Sequence, residues 1–167
     1  MSRYIGVVGT RGASVVALGL ALALGVSSQS SAQQTGGTAD EAKAMLEKTV
    51  AALKVDKAKT LDLINDGKGG FLDRDIYPFC FNVSDGKAVA VASPNSKQTL
   101  GIDVRTLKDP TGKLFGPELY AAAQKSEGQI TEVSYMWPRA GSDKTPVAKV
   151  SFVTKAGDLG CGVGYYK

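Results

Sequence analysis

The sequence GQITEVSYMWPRAGSDKTPVAKVSF, residues 128–152, contains the clearest strand pattern of the chain and decides the fold. Its first half alternates with a period of two, which is typical of a β-strand with one buried face. The large residues of that face are Val133, Tyr135 and Trp137. Pro138 ends the pattern, and after a polar connection residues 147–153 alternate again. We therefore predict two antiparallel strands joined as a hairpin.

Pairing of these strands would bring Tyr135, Trp137 and Lys149 to one side of a sheet. An ammonium, a phenolic hydroxyl and an indole ring together suit a small organic anion, because they supply charge, a directed hydrogen bond and an apolar wall. The same residues could instead be two core aromatics beside a solvated lysine. The residue types leave both interpretations open, since the period alone does not fix the register of the hairpin.

Residues 1–32 have the pattern of a secretory signal peptide. Arg3 and Arg11 precede a short apolar run over residues 13–26, and small residues follow it. The run is shorter than a membrane-spanning helix needs. We predict cleavage near Ala32 and release of the mature chain into the periplasm.

The mature chain has the length of one domain with a single core. We expect a flexible lead-in over residues 33–38 and that domain over residues 39–167. Its charge is nearly balanced, because the predicted signal peptide carries Arg3 and Arg11 and no acidic residue. The remaining basic residues are dispersed and do not interleave with aromatics, so nucleic-acid binding has no support in the sequence.

The mature chain contains two cysteines, Cys80 and Cys161, and the whole chain contains no histidine. In an oxidising compartment such a pair favours a disulfide over a metal or catalytic site, with two free buried thiols as the alternative. The lack of histidine removes imidazole bases, His-containing triads and HExxH zinc sites. Asp73 and Asp75 form the densest acidic cluster, which we interpret as a solvated turn. We expect no catalysis, no metal and no other cofactor.

The rest of the chain predicts a long helix and further strands. Residues 39–65 carry an apolar stripe at spacings of three and four, and residues 55–57 could kink this helix or split it in two. Strands are predicted over residues 76–83, 87–92 and 160–166, and a short helix over residues 117–125. The order of helix, two strands, helical insert and three strands indicates an α+β fold with one antiparallel sheet.

Six motifs follow one another along the mature chain. They are Asp75-Ile76-Tyr77-Pro78-Phe79, Asp85-Gly86, Leu107-Lys108-Asp109-Pro110-Thr111-Gly112, Tyr135-Met136-Trp137-Pro138, Lys149-Val150-Ser151-Phe152 and Gly162-Val163-Gly164-Tyr165-Tyr166. In this order, behind a long helix, they resemble the single Cache domain, type 2, a PAS-like extracytoplasmic sensor module. The resemblance covers residues 39–167. It implies a five-stranded antiparallel sheet, with the N-terminal helix on one face and a ligand pocket on the other.

The resemblance also implies a binding function, because family members in chemotaxis receptors and histidine kinases bind small molecules, often short carboxylates. It implies that Tyr135, Trp137 and Lys149 hold the ligand. Further candidates are the aromatics Tyr77, Phe79 and Tyr120, which could equally be ordinary core or rim residues. Arg105 and Arg139 could clamp a carboxylate through the guanidinium fork, although such arginines are more often simply solvated. In the PAS-like order the first and last strands are neighbours, which implies that Cys80 lies beside Cys161.

Two departures from the family pattern bear on function. Residues 130–132 read Ile-Thr-Glu where the family often has a Gly-Trp pair, so we expect one pocket wall to differ. The sequence carries no transmitter after the last predicted strand, so we expect a signal to pass to a separate partner, a membrane receptor or a kinase. The alternative is a ligand-free protein-interaction module of the same fold. A homodimer through the N-terminal helix is compatible with both.

Overall fold

The computed structural model describes residues 36–139, 141 and 143–167. The predicted signal peptide lies outside these residues. The helices are α1 (Ala39–Val55), α2 (Lys57–Asp66) and α3 (Gly116–Ala123), and the strands are β1 (Pro78–Asn82), β2 (Ala88–Val91), β3 (Thr131–Pro138), β4 (Pro146–Ala156) and β5 (Leu159–Tyr166). Within the described ranges, no helix is long and apolar enough to cross a membrane.

The predicted long helix is two helices, α1 and α2. Helix α1 begins with a capping box, in which Thr38 accepts from the backbone N–H of Glu41 and the Glu41 carboxylate accepts from the N–H of Thr38. Asp56 separates the helices, because its backbone is extended and its carboxylate caps α2 at the N–H of Lys59. Gly67 ends α2 with a positive φ of 65°, which glycine adopts without strain.

The five strands form one antiparallel sheet in the order β2-β1-β5-β4-β3. The first and last strands are therefore neighbours, and Cys80 and Cys161 are register partners joined by a disulfide. The structure confirms the α+β class, the five-stranded sheet and the disulfide. It has the helices α1 and α2 on one face of the sheet, where the disulfide is buried among apolar side chains.

Each face of the sheet has its own apolar cluster. The helix-side cluster includes Ala42, Leu46, Ile64, Phe152 and Val163. On the other face, α3 and the irregular segment before it cover a second cluster, which includes Phe81, Val104, Phe115, Leu119, Val133 and Val153. The insert between β2 and β3 thus forms a lid over the second face.

The boundaries differ from the sequence prediction in two instructive places. Strand β1 begins at Pro78 rather than at residue 76, because residues 73–76 close a tight backbone turn of their own. Strand β4 extends over Pro146–Ala156, beyond the predicted residues 147–153, since it pairs with a neighbour on both sides. The insert also contains two short 3₁₀ helices, Pro94–Thr99 and Val104–Thr106, which the sequence pattern did not predict.

Candidate ligand-binding site

A cavity lies between the second face of the sheet and the lid. Its empty volume is about 510 Å³, counting the part that is open to solvent. Most of its wall is apolar, formed by residues such as Phe79, Val91, Val104, Leu107, Phe115 and Trp137. The polar part of the wall comes from Tyr77, Ser96, Thr99, Tyr135 and Lys149. Among the residues that the structure describes, Lys149 is the one charged residue of this lining.

The ammonium of Lys149 is buried beside this cavity, and the side chain is only 3% exposed. Its Nζ donates a 3.0 Å hydrogen bond to the hydroxyl of Tyr77. It also lies 4.2 Å from the ring centre of Tyr77 and 4.6 Å from that of Tyr166, within the range of cation–π attraction. Among the described residues, no carboxylate forms a salt bridge with it.

The register of three strands and the glycine at position 164 determine where the side chain of Lys149 lies. Tyr135 is its register partner on β3, and Tyr166 is its partner on β5. Gly164 on β5 lies beside it, and a Cβ at that position would overlap the Cε of Lys149 and the Oγ of Ser151. The lysine stem therefore occupies space that any other residue at position 164 would fill.

The hydroxyl within hydrogen-bond distance of the ammonium is that of Tyr77. Burial by itself raises the pKa of this phenol, but the positive charge and the hydrogen bond of Lys149, together with hydrogen bonds of Ser96 and Ser93, outweigh burial and lower the pKa of Tyr77 from its ordinary value. The same hydroxyl lies 3.4 Å from the Oγ of Ser96. Tyr77 accepts the hydrogen bond from Lys149, and in its contact with Ser96 either hydroxyl could be the donor.

An aromatic wall closes another side of the cavity. The rings of Phe115 and Tyr135 are stacked with centres 4.1 Å apart, and Trp137 meets Phe115 edge-on at 5.8 Å. The hydroxyl of Tyr135 lies 2.8 Å from the Oγ of Ser151, and burial raises the pKa of Tyr135. Tyr135 thus contributes its ring to the wall, while its hydroxyl already has a protein partner.

A buried carboxylate fastens the lid to the sheet. Asp109 accepts hydrogen bonds from the backbone N–H groups of Thr111, Lys113 and Met136 and from the hydroxyl of Thr111. These bonds, led by that of the Thr111 hydroxyl, lower the pKa of Asp109 to about 2. Met136 lies between Tyr135 and Trp137 on β3, so Asp109 connects the lid loop directly to the aromatic wall.

Comparison with known proteins places the chain in a family. Residues 17–166 match the family model described as single Cache domain 2. The chain belongs to this family.

Solved structures share the fold of this Cache domain at low sequence identity. A methyl-accepting chemotaxis protein from Vibrio parahaemolyticus is 21% identical, with a TM-score of 0.58 over 76% of this chain and 86% of its own. A periplasmic sensor domain of a chemotaxis protein is 23% identical, with a TM-score of 0.55 over 76% and 88%. A Cache chemosensory domain described for its carboxylic acid recognition is 22% identical, with a TM-score of 0.53 over 76% and 86%.

The structure brings five of the candidate residues together at the cavity of the Cache domain. These are Tyr77, Phe79, Tyr135, Trp137 and Lys149. It does not bring Tyr120 there, because the Tyr120 hydroxyl donates to the carbonyl oxygen of Val83 at 2.6 Å. Arg105 lies over the ring of Tyr120 and pairs with Asp103, also away from the lining.

Arg139 is likewise outside the lining, and its partner corrects one interpretation of the sequence. The Arg139 guanidinium pairs with the carboxylate of Asp75, which also accepts a 2.7 Å hydrogen bond from the N–H of Gly37. Asp75 is 8% exposed, so the interpretation of Asp73 and Asp75 together as a solvated turn is wrong for Asp75. The guanidinium carbon lies 4.4 Å from the ring centre of Tyr166.

Several residues of the site, four of which matter most for its polar and aromatic parts, were not singled out from the sequence. These four are Ser96, Phe115, Ser151 and Tyr166. The alternation of β4 and β5 carries a usable signal for Ser151 and Tyr166, which fall on the same face as Lys149. Ser96 and Phe115 lie outside the strands, on segments without a period that would have shown where their side chains point.

Proposed function

We propose that this Cache domain is a periplasmic sensor domain that binds a short monocarboxylate, with Lys149 as the anchor of the carboxylate. The observation that carries the proposal is the buried Lys149 ammonium, which has a cavity beside it and no carboxylate partner among the described residues. A buried charge without an opposite charge is costly, and a ligand carboxylate would relieve that cost.

The lining sets the class of ligand. Lys149 supplies one positive charge, and Tyr77 supplies a hydroxyl proton for a second carboxylate oxygen. The aromatic wall and the aliphatic side chains surround the rest of the ligand, which must therefore be short and largely apolar. The described part of the lining has a single cation and no carboxylate, so it offers no partner to a second carboxylate or to an ammonium group. We therefore expect the site to favour monocarboxylates over dicarboxylates and amino acids.

The relatives support the same class and location. One structure of the same fold is described for carboxylic acid recognition, and another is a periplasmic sensor domain. The predicted signal peptide with cleavage near Ala32 agrees with a periplasmic location, and the buried Cys80–Cys161 disulfide agrees with an oxidising compartment. We further propose that the ligand signal passes to a separate membrane receptor or kinase, and that the protein is not an enzyme.

The experiment that tests this function is a thermal-shift titration of the purified protein with propionate and with propionamide, its neutral analogue. A ligand at 100 times its dissociation constant stabilises a protein by about 2.7 kcal/mol, which raises the melting temperature by several degrees. We expect this shift with propionate and none with propionamide.

A pair of variants identifies the anchor. Lys149→Met should fold, because a buried unpaired charge is replaced by an apolar side chain of similar length, and it should lose the propionate shift. Lys155→Met is the matched control, since Lys155 lies on the same strand outside the cavity lining. A well-folded wild-type protein with no response to any short carboxylate would contradict the proposal and favour the ligand-free interaction module.

A further inference from the structure

We infer that an anion bound at Lys149 tightens the docking of Gly37, in the segment that precedes α1, against the carboxylate of Asp75. The effect runs through Arg139 and Tyr166, so occupancy of the cavity is communicated to the N-terminal side of the domain. The inference rests on the proposed function, because the anion is the carboxylate that we assign to Lys149. The residues that carry it lie outside the cavity lining.

A continuous series of contacts connects Lys149 with Gly37. The Lys149 ammonium lies 4.6 Å from the ring centre of Tyr166, and the guanidinium carbon of Arg139 lies 4.4 Å from the same ring centre. Arg139 pairs with one carboxylate oxygen of Asp75, and the other oxygen accepts the 2.7 Å hydrogen bond from the Gly37 N–H. Asp75 thus holds the guanidinium and the segment before α1 at the same time.

The segment before α1 is packed closely against this carboxylate. Gly37 is buried, and a Cβ at position 37 would overlap the side chain of Ile76. A Cβ at position 36 would come within 2.7 Å of Nη1 of Arg139 and within 2.9 Å of Oδ2 of Asp75. The close approach to Asp75 therefore depends on two consecutive residues that have no side chain.

The buried carboxylate of Asp75 depends on both of its partners. Asp75 is 8% exposed, and a buried charge is costly unless it is paired and hydrogen-bonded. When the Arg139 guanidinium moves into solvent, the carboxylate keeps a neutral donor, the Gly37 N–H, and loses its opposite charge. A carboxylate in that state gains by turning toward water, which breaks the hydrogen bond to Gly37.

The charge at Lys149 affects how favourable the inward position of Arg139 is. The two cations share the ring of Tyr166 and lie within about 10 Å of each other, where partly buried charges are only weakly screened. With an empty cavity Lys149 repels Arg139, whose side chain is 40% exposed and can move outward. A ligand carboxylate neutralises Lys149 and removes this repulsion. Arg139 then stays with Asp75, and Asp75 keeps Gly37.

The coupling between the cavity and Gly37 must be reciprocal. If an anion at Lys149 strengthens the docking of Gly37 by a given factor, docking strengthens anion binding by the same factor. Couplings between two sites are typically about 5- to 150-fold. We expect a value near the lower limit, about fivefold, because an aromatic ring separates the two charges.

The test is amide hydrogen exchange of the isotope-labelled protein by NMR, with and without saturating propionate. The Gly37 amide reports its own hydrogen bond to Asp75, because it exchanges when the segment opens locally. Propionate should slow its exchange about fivefold. The Lys59 amide is the internal reference, since it donates to the Asp56 carboxylate outside the cavity lining, and its exchange should not change.

A pair of arginine variants tests the route. Arg139→Gln removes the charge that shares the ring of Tyr166, so the slowing by propionate should disappear. Arg74→Gln is the matched control, because its guanidinium pairs with the carboxylates of Glu41 and Asp73 on the surface. The fivefold slowing should persist in this variant.

Gly37→Ala tests the reverse direction without a change of charge. Its methyl group overlaps Ile76 and should undock the segment, so the propionate affinity measured by calorimetry should fall about fivefold. Gly157→Ala is the control, since it strains a turn at a φ of 63° where a Cβ meets nothing within 4 Å. Its propionate affinity should equal that of the wild type.

The outcomes separate this inference from the proposed function. In a wild-type protein that binds propionate, a Gly37 exchange rate that propionate leaves unchanged would overturn the inference and keep the proposed function. A slowing that survives in Arg139→Gln would do the same. A folded wild-type protein that binds no short carboxylate would overturn both.

Discussion

The Nζ of Lys149 and the hydroxyl of Tyr77 are 3.0 Å apart although the two residues are separated by 72 positions in the sequence. Tyr77 immediately precedes β1, and Lys149 lies on β4, two strands away across β5. The pair therefore forms only when the first and the fourth strands are both in register with β5. A ligand that binds both side chains therefore reports the pairing of β1, β5 and β4.

Replacement of Tyr77 by phenylalanine should weaken carboxylate binding. Tyr77→Phe keeps the ring beside Lys149 and removes the hydroxyl that we assign to the second carboxylate oxygen, so the propionate dissociation constant should rise about tenfold. Titration calorimetry measures it. Tyr120→Phe is the matched control, because the Tyr120 hydroxyl is bonded to Val83 outside the lining and its loss should not change the dissociation constant. Equal affinities of Tyr77→Phe and the wild type would contradict the assignment.

A methyl group on β5 should close the space for the lysine stem. In Gly164→Ala the added Cβ overlaps Cε of Lys149 and Oγ of Ser151, so we expect propionate affinity to fall at least tenfold as the lysine moves. Gly160→Ala serves as the control, since its Cβ meets Phe81 and Ala123 instead. It should lower the melting temperature while the folded protein keeps its affinity. The reverse pattern, with affinity lost in Gly160→Ala alone, would show that β5 does not shape the site through Lys149.

Because of the Asp109 carboxylate, the free energy of unfolding should decrease at low pH. Its folded-state pKa of about 2 lies below the ordinary value of 3.8, so its contribution is fully present above that ordinary value and is lost as the pH falls toward 2. Urea unfolding between pH 6 and pH 2 should therefore show a smaller loss of stability in Asp109→Asn than in the wild type. If the unfolding free energy of the two proteins changed with pH to the same extent, the hydrogen bonds to Asp109 would not favour its charged form.

Loss of the disulfide should destabilise the fold more than it alters the site. Cys80 and Cys161 are 81 positions apart, and closing a loop of that length contributes about 4 kcal/mol in the chain-entropy model. The double variant Cys80→Ala/Cys161→Ala should lose about that much unfolding free energy in urea titrations. Its propionate affinity should persist, because the disulfide is buried on the helix side of the sheet and the cavity is on the other. If the double variant had the same unfolding free energy as the wild type, the disulfide would not stabilise the fold by restricting the unfolded chain.

The sequence was sufficient to predict the candidate site residues on strands β3 and β4, but not those on the rest of the chain. A period of two placed Tyr135 and Trp137 on one face of β3, and the predicted hairpin could bring Lys149 to the same side; the structure does pair Tyr135 with Lys149. The sequence did not identify Tyr77 as the residue bonded to the ammonium, because that contact spans the sheet. Ser96, in a short 3₁₀ helix, and Phe115, just before α3, lie outside the strands, and their sequence carries no repeating pattern that shows which side chains face the cavity.

The disulfide also determines which parts of the domain respond to a mechanical load. Residues 80–161 form a covalently closed ring that contains β2, the lid, β3 and β4. When tension is applied at the two ends of the described domain, the force passes from Cys80 to Cys161 through the disulfide. Only the residues outside the ring can then be extended, because those within it bear no load. Tyr77 lies on the extensible part and Lys149 within the ring. Pulling on the N-terminal side would thus separate the hydroxyl from the ammonium while the aromatic wall remains in the ring, unstretched.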